Sequence, residues 1–196
     1  MPKNIANSIF KTVTDKQKVL CPLDQVFLKS DFDFLLTTGG DLFQDENEFE
    51  KLKSLLKSIG ETEFNIVENI GATVTERAIP FQTTISLDSD YKDFEEIVSS
   101  LDPPFGWLIN HFFVFGCIDN WGIYICEYPT INIIGCDKRL TESFKLVFSI
   151  VENGYETHKD FLDLEFQSKP ELKTQFINQY KLKYQNQSSS NAQQQL

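Results

Sequence analysis

The sequence is poor in histidine, in paired cysteines and in long apolar runs, and each shortage excludes a class of protein. It has two histidines, His111 and His158, and four cysteines without a CxxC pair among them. Zinc sites are usually built from closely spaced Cys and His ligands, so we expect neither a metal nor another cofactor. In a reducing compartment the cysteines are expected to remain free thiols.

Membrane-spanning and export signals are missing as well. No apolar run approaches the roughly 20 residues that a membrane span needs, and the longest apolar stretch, Phe112–Ile118, has the length of a strand. The opening residues MPKNIANSIFKTV lack the continuous apolar stretch of a signal peptide. We therefore expect a cytoplasmic protein that does not enter a membrane.

Local catalytic motifs are scarce, and we assign no catalytic residue. Neither GxSxG nor HExxH occurs, so two common hydrolase classes have no support. A small hydrolase or transferase whose pocket is built from separate segments is the alternative. His111, Cys126 and Glu127 are its first candidates, because a thiolate nucleophile needs a base and an orienting group. Neighbouring carboxylates such as Glu61 and Glu63 are expected on a solvated surface.

The charge is strongly negative and unevenly distributed. The formal charge is −11, with seven acids and no Lys or Arg between Asp31 and Glu50, and five acids against Lys92 alone between Asp88 and Glu96. A negative surface repels nucleic-acid phosphates and anionic lipid, and it speeds the encounter with a basic protein. We expect a basic protein partner and no nucleic-acid or membrane partner, although a need for solubility also explains the charge.

The apolar spacing predicts an α+β domain. Apolar residues recur at helical spacing from Asn47 to Ile59 and again from Tyr91 to Leu101, and further helices are predicted toward the C-terminus. Strand-like runs follow one another from 110 to 136 with short breaks, which favours antiparallel pairing. We predict an antiparallel sheet of about five strands with this central meander, packed with amphipathic helices. The domain is predicted to extend over residues 1–184, followed by a disordered polar tail over 185–196.

The stretch from Val26 to Leu36 has two interpretations. The fragment SDFDFLLTTGGDLF is compatible with a helix that ends at Gly39-Gly40, because glycine is favoured just past a helix end. It is equally compatible with two short strands around a glycine turn.

The segment from Ile118 to Tyr128 combines carboxylates, an amide and large rings near a predicted turn. Trp and Tyr are favoured in binding surfaces, because hot spots of binding energy are enriched in them. If Trp121 faces the core, then Tyr124 and Tyr128 face away from it. Ordinary packing of these rings on both faces of a sheet is the alternative, and the sequence leaves both open.

Two motifs resemble a known group of proteins. The apolar stretch with a glycine pair (FLLTTGGDLF) and the strand pair with an FG-turn-WG-Y element (VFGCIDNWGIYICEY), followed by C-terminal helices, resemble bacterial immunity proteins of polymorphic toxin systems. The nearest group is the SMI1/KNR4-like one, and the resemblance extends over Phe32–Cys136. It implies a non-catalytic α+β protein that binds and neutralises a cognate toxin. Many toxin domains that act on nucleic acid are basic, which suits an acidic binding surface.

Charge and motif together predict a partner surface made of acids and large rings. Its members are Asp41, Asp45, Glu46, Glu48, Glu50, Asp119, Asn120, Trp121, Tyr124, Glu127 and Tyr128. The acids would attract a basic protein and the rings would contact it, with this chain as a monomer or a dimer. A third hypothesis is an accessory subunit of a larger assembly, whose helix from Pro170 to Tyr184 docks a partner through Phe176 and Tyr180.

Overall fold

Six strands form one antiparallel sheet in the larger of two structural units. The computed structural model describes residues 2–11, 26–38, 46–69, 81–99, 111–126, 131–152 and 154–182. The strands are β1 Asp33–Thr38, β2 Glu63–Glu68, β3 Gln82–Ser86, β4 Phe112–Phe115, β5 Trp121–Cys126 and β6 Ile131–Cys136. Their spatial order is β1-β6-β5-β4-β2-β3, and every neighbouring pair is antiparallel.

The α+β class and the central antiparallel meander are confirmed. β4, β5 and β6 are neighbours in the chain and in the sheet, as the short breaks between them predict. The six strands within the described residues are close to the predicted number of about five. A helical interpretation of residues 33–38 is wrong, because β1 pairs along its whole length with β6. The glycine pair Gly39-Gly40 lies outside the described residues.

The chain divides into two compact units, residues 1–150 and residues 151–196. The sequence predicts one domain over residues 1–184, whereas this division places a boundary after Ile150. The predicted polar tail over 185–196 lies outside the described residues.

The described part of the larger unit contains four α-helices and a short 3-10 helix. They are α1 Pro2–Ile9, α2 Glu46–Ser58, α3 Tyr91–Ser99, the 3-10 helix Lys138–Leu140 and α4 Thr141–Val147. The two predicted amphipathic helices correspond to α2 and α3. α2 is followed by Gly60, whose φ of 91° is a conformation that glycine adopts at little cost. α3 follows Asp90, whose Oδ1 accepts a hydrogen bond from the Asp93 N–H at 2.8 Å and so caps the helix.

One face of the sheet packs against α2, α3 and α4. The buried side chains of this layer include Phe64, Ile66, Phe112, Val114, Trp121, Ile123 and Ile134 from the strands, and Phe49, Leu52, Leu56, Phe94 and Phe144 from the helices. The rings of Phe49 and Phe94 stack with centroids 4.8 Å apart, which joins α2 to α3. Each fully buried Phe stabilises the fold by about 1.5–3 kcal/mol relative to an exposed one.

The opposite face is covered by aromatic residues from the first part of the chain. Phe10 packs against Phe113 and Phe27, with ring centroids 4.8 and 5.0 Å apart. Two strand glycines leave room for these rings. A Cβ at Gly122 would lie 2.6 Å from the Phe10 ring, and a Cβ at Gly135 would lie 2.6 Å from the Phe27 ring. Because both faces are covered, every residue of β4, β5 and β6 is buried, as the continuous apolar runs predict.

The smaller unit contains α5 Tyr155–Glu165 and α6 Pro170–Gln179 within its described residues. The rings of Phe176 and Tyr180 lie 4.8 Å apart and are both buried. They pack inside rather than forming an exposed docking face, so the accessory-subunit hypothesis loses the two residues on which it relies. Within the described ranges, no helix of either unit is long and apolar enough to cross a bilayer.

Gly122→Ala tests how closely the first part of the chain covers the sheet. The added methyl group would lie 2.6 Å from Phe10 Cζ and 2.9 Å from Ile9 Cγ2. We expect the free energy of unfolding to fall by about 1–3 kcal/mol, the usual cost of overpacking, as measured by chemical denaturation. Phe10→Leu is the control, because trimming the ring should make the double variant more stable than the two single losses predict. Strict additivity would contradict this packing.

Candidate partner-binding site

The structure buries two rings of the hairpin that the sequence predicts to be a partner surface. Trp121 packs against Phe144 of α4, with ring centroids 5.8 Å apart, and Tyr124 lies on the opposite face of the sheet. Both side chains are fully buried. A buried ring offers no area to a partner, so we withdraw Trp121 and Tyr124 from the candidate surface. At the turn of the hairpin, Asp119 is exposed and Asn120 is partly exposed. Glu127 and Tyr128 lie outside the described residues.

One buried carboxylate holds the turn of this hairpin. Glu61 is 4% exposed and comes directly after the glycine that ends α2. Its Oε2 accepts a hydrogen bond from the Cys117 backbone N–H at 2.7 Å. Its Oε1 accepts from the Ile118 backbone N–H at 3.0 Å and from the Trp121 indole N–H at 3.1 Å. A carboxylate is buried at acceptable cost only when it is hydrogen-bonded, and these three charge-assisted bonds meet that condition.

These contacts explain the FG-turn-WG element by packing. A Cβ at Gly116 would overlap the Glu61 carboxylate, so the first glycine of the element admits the carboxylate. Trp121 supplies one of its donors, and Gly122 admits Phe10 on the other face of the sheet. The expectation that Glu61 lies on a solvated surface is therefore wrong.

A second buried polar cluster lies at the other end of β4. The Tyr124 hydroxyl accepts a hydrogen bond from Asn69 Nδ2 at 3.0 Å and lies 3.1 Å from His111 Nδ1. All three side chains are at most 5% exposed. Burial lowers the pKa of His111 from 6.5 to about 4, because a charged imidazolium would lose its hydration there. The imidazole is therefore neutral at physiological pH.

The thiols of Cys117 and Cys126 have the surroundings of structural cysteines. Cys126 is buried, and its Sγ donates a hydrogen bond to a backbone carbonyl of β6 at 3.1 Å. Cys117 is exposed, but desolvation and the charges of Glu61 and Glu63 raise the pKa of its thiol. A catalytic thiolate needs both access to substrate and a lowered pKa, and neither thiol combines the two. Glu127, the third candidate of the enzyme hypothesis, lies outside the described residues.

The acids predicted as a patch before and within α2 are balanced by lysines where the structure describes them. The three acids of α2 are matched by three lysines on the same helix: Glu46, Glu48 and Glu50 against Lys51, Lys53 and Lys57. The Lys53 Nζ lies 2.8 Å from Glu50 Oε1 and donates to the Ser89 carbonyl at 2.6 Å. Asp41 and Asp45 lie outside the described residues. α2 therefore attracts a basic partner less than its acids alone suggest.

A cluster of acids with few matching lysines lies around α3. From Asp88 to Glu96 there are five acids and one lysine, and all five acids are exposed. Lys92 lies 4.0 Å from Glu96, and Lys57 of α2 lies 3.0 Å from Asp88. Exposed pairs of this kind contribute little and do not offset the whole charge. A negative charge therefore remains around α3.

α3 and the edge strand β3 border an open groove of about 690 Å³. This α3–β3 groove is lined by two carboxylates, two apolar side chains and three neutral polar ones: Asp93 and Glu96, Phe81 and Ile97, and Gln82, Thr83 and Ser89. Small-molecule sites are usually enclosed and mainly apolar. An open groove with an acidic wall is better suited to a segment of another protein.

No family model, curated protein or solved structure matches this chain. The candidate site is therefore defined by geometry and charge. Over the described ranges, no group of three or more His, Cys, Asp or Glu side chains is placed to hold a metal ion.

Sequence reasoning identifies the acids of α3 but misses the groove and the Glu61 contacts. The run of acids from Asp88 to Glu96 is visible in the sequence, whereas the groove exists only because β3 and α3 become neighbours at one edge of the sheet. The donors to Glu61 lie 56 to 60 positions further along the chain, so no local pattern marks this carboxylate as buried.

Glu61→Gln tests the carboxylate that holds the hairpin. An amide has one acceptor oxygen and two donor hydrogens, so at least one N–H of the hairpin loses its acceptor. We expect a loss of about 2–4 kcal/mol in the free energy of unfolding, measured by chemical denaturation. Glu63→Gln removes the same charge from a partly exposed position and should cost less than about 0.5 kcal/mol. Equal losses in the two variants would contradict this role of Glu61.

Protonation of His111 should destabilise the fold at low pH. The unfolded imidazole takes up a proton below its ordinary pKa of 6.5, whereas the folded one does so only near 4. The neutral, buried imidazole therefore makes its full contribution above pH 6.5, and this is lost as the pH falls from 6.5 to 4, by at most about 3 kcal/mol. The free energies of unfolding of the natural chain and of His111→Gln, compared across this range, measure the effect. Parallel curves would contradict it.

Proposed function

We propose that this chain is a non-catalytic binding protein that captures a basic protein partner, and that it acts as an immunity protein against a cognate toxin. The observation that supports the proposal is the set of exposed acids around α3 beside the open α3–β3 groove. α3 is held against α2 by Phe94, which is buried and stacks on Phe49. A partner would therefore meet a preformed surface.

Electrostatics would bring the partner to this surface. At physiological salt, the attraction between exposed charges extends over about 8 Å, which is far enough to orient a basic partner and to raise its association rate. The apolar side chains of Phe81 and Ile97 in the groove would then contribute buried contact area. Charge thus selects the partner, and the groove retains it.

The immunity role rests on the resemblance of two sequence motifs to bacterial immunity proteins and on the complementary charge expected of a toxin that acts on nucleic acid. Neutralisation by occlusion requires only that a firm surface cover the toxin's own site. A sheet whose central strands are packed on both faces supports such a surface, because those strands cannot shift without disturbing two cores. The FG-turn-WG element contributes to this support and not to the contact itself.

Protection of cells against a toxin tests the proposal. Each candidate toxin gene that neighbours the gene for this chain is co-expressed with it in a bacterial host, and growth is measured. The natural chain should restore growth, and the purified pair should bind. Asp93→Lys/Glu96→Lys should weaken protection, slow association by about tenfold at low salt and flatten its salt dependence, because the steering charge is reversed.

Two double variants serve as controls. Glu156→Lys/Asp160→Lys on α5 changes the net charge by the same amount at other exposed positions and should leave association nearly unchanged. Glu46→Lys/Glu50→Lys on α2 should have a smaller effect than the α3 variant, because α2 is already balanced. An unchanged association rate in the α3 variant would show that this surface does not bind the partner. Absence of binding and protection for every neighbouring toxin would overturn the immunity role.

A further inference from the structure

The outer edge of β3 presents main-chain hydrogen-bonding groups beside the groove. β3 is the last strand in the sheet order, and its neighbour is β2. The Phe81 carbonyl accepts from the Glu68 N–H at 2.8 Å, and the Leu87 N–H donates to the Thr62 carbonyl at 3.0 Å. Antiparallel residues alternate between bonded and non-bonded pairs, so the odd-numbered residues face β2. The N–H groups that point away from β2 belong to Gln82, Thr84 and Ser86.

Within its described residues, Gln82–Ser86, this edge strand is exposed and carries none of the usual protection. The side chains of Gln82, Thr84 and Ser86 are exposed. Natural proteins protect open edges with Lys, Pro or bulges, and the strand sequence QTTIS contains neither Lys nor Pro. The other edge strand, β1, differs, because Phe34 and Leu35 are at most 5% exposed. Of the two edge strands, β3 is therefore the one with more exposed residues.

We propose that β3 takes up an extended, basic segment of the partner protein as an additional strand of the sheet. In strand addition, main-chain hydrogen bonds provide affinity, and alternate side chains provide specificity. The inference rests on the proposed function, since it specifies how the partner is held at the α3–β3 groove. Strand addition contributes main-chain hydrogen bonds to the contact, which charge attraction alone does not involve.

The α3–β3 groove defines the chemistry of this segment. Side chains of an added strand alternate between the two faces of the sheet, so every second one lies on the side of α3. Lys or Arg at these positions would lay their aliphatic stems on Phe81 and Ile97. Their charged ends would then meet the carboxylates of Asp93 and Glu96. The expected segment has Lys or Arg at every second position.

A second copy of this chain suits the edge less well than a basic segment. Pairing two β3 edges would bring the acids around two α3 helices to the same extended sheet. Each chain has a formal charge of −11, and like charges across an interface oppose association. Charge complementarity therefore favours a basic segment of another protein as the occupant.

A random dodecapeptide library displayed on phage and selected on the full chain tests this inference. We expect enrichment of peptides with Lys or Arg at alternate positions. A synthetic copy of an enriched peptide should bind Gln82→Pro about tenfold more weakly than Gln82→Ala in fluorescence anisotropy, because proline removes one main-chain hydrogen bond and also obstructs the edge. Both variants lose the glutamine side chain, but only proline loses the outward N–H. Thermal unfolding checks that both are folded.

A change on the peptide keeps the test decisive even if Gln82→Pro fails to fold. N-methylation at alternate peptide positions should abolish binding in one register and spare it in the other, since only alternate N–H groups of an added strand face β3. Equal binding in both registers, enrichment without basic residues, or no enrichment would overturn the proposal. So would a dimer in analytical ultracentrifugation that Gln82→Pro, and not Gln82→Ala, dissociates.

The two proposals fail in different ways. If protection against the toxin survives Gln82→Pro but is lost in Asp93→Lys/Glu96→Lys, the α3 surface stands and strand addition is overturned. If alternating basic peptides bind at the β3 edge while the chain protects against no toxin, strand addition stands and the immunity role is overturned.

Discussion

Covering both faces of the central sheet is the constraint on which the rest of the structure depends. β4, β5 and β6 are buried along their whole lengths, so each needs apolar partners above and below. Three helices provide one layer, and Phe10 and Phe27 provide the other through the space left by Gly122 and Gly135. The first part of the chain is therefore a component of the core, because its removal would expose a wide apolar surface to water.

The buried carboxylate of Glu61 extends the same constraint to the hairpin turn. The N–H groups of Cys117 and Ile118 need acceptors at the point where the chain reverses between two buried strands, and Glu61 provides them. Gly116 and Trp121 are thereby assigned to packing and hydrogen bonding. The motif that resembles immunity proteins thus contributes to the fold, and the binding function that we propose lies elsewhere on the surface.

We place the proposed binding function at the α3–β3 groove because two kinds of interaction would meet there. The exposed acids around α3 would attract a basic partner at a distance and in any orientation, whereas the β3 edge would bind only at contact and only an extended chain. The charge attraction of α2 would be much weaker, because its lysines balance its acids. Together, charge and main-chain groups define a partner more narrowly than the acidic composition does.

Sequence by itself determined the α+β class, the helices α2 and α3, and the antiparallel order of β4, β5 and β6, because apolar periodicity and turn residues are local signals. It also located the acids of α3. Only the tertiary structure decided that residues 33–38 form an edge strand, since a short apolar run suits helix and strand equally. Likewise, the alternation of side chains along a strand places Trp121 and Tyr124 on opposite faces of the sheet, but it does not show that both faces are covered. The burial of Glu61 and the groove beside β3 arise from contacts between residues far apart in the chain, which no local pattern contains.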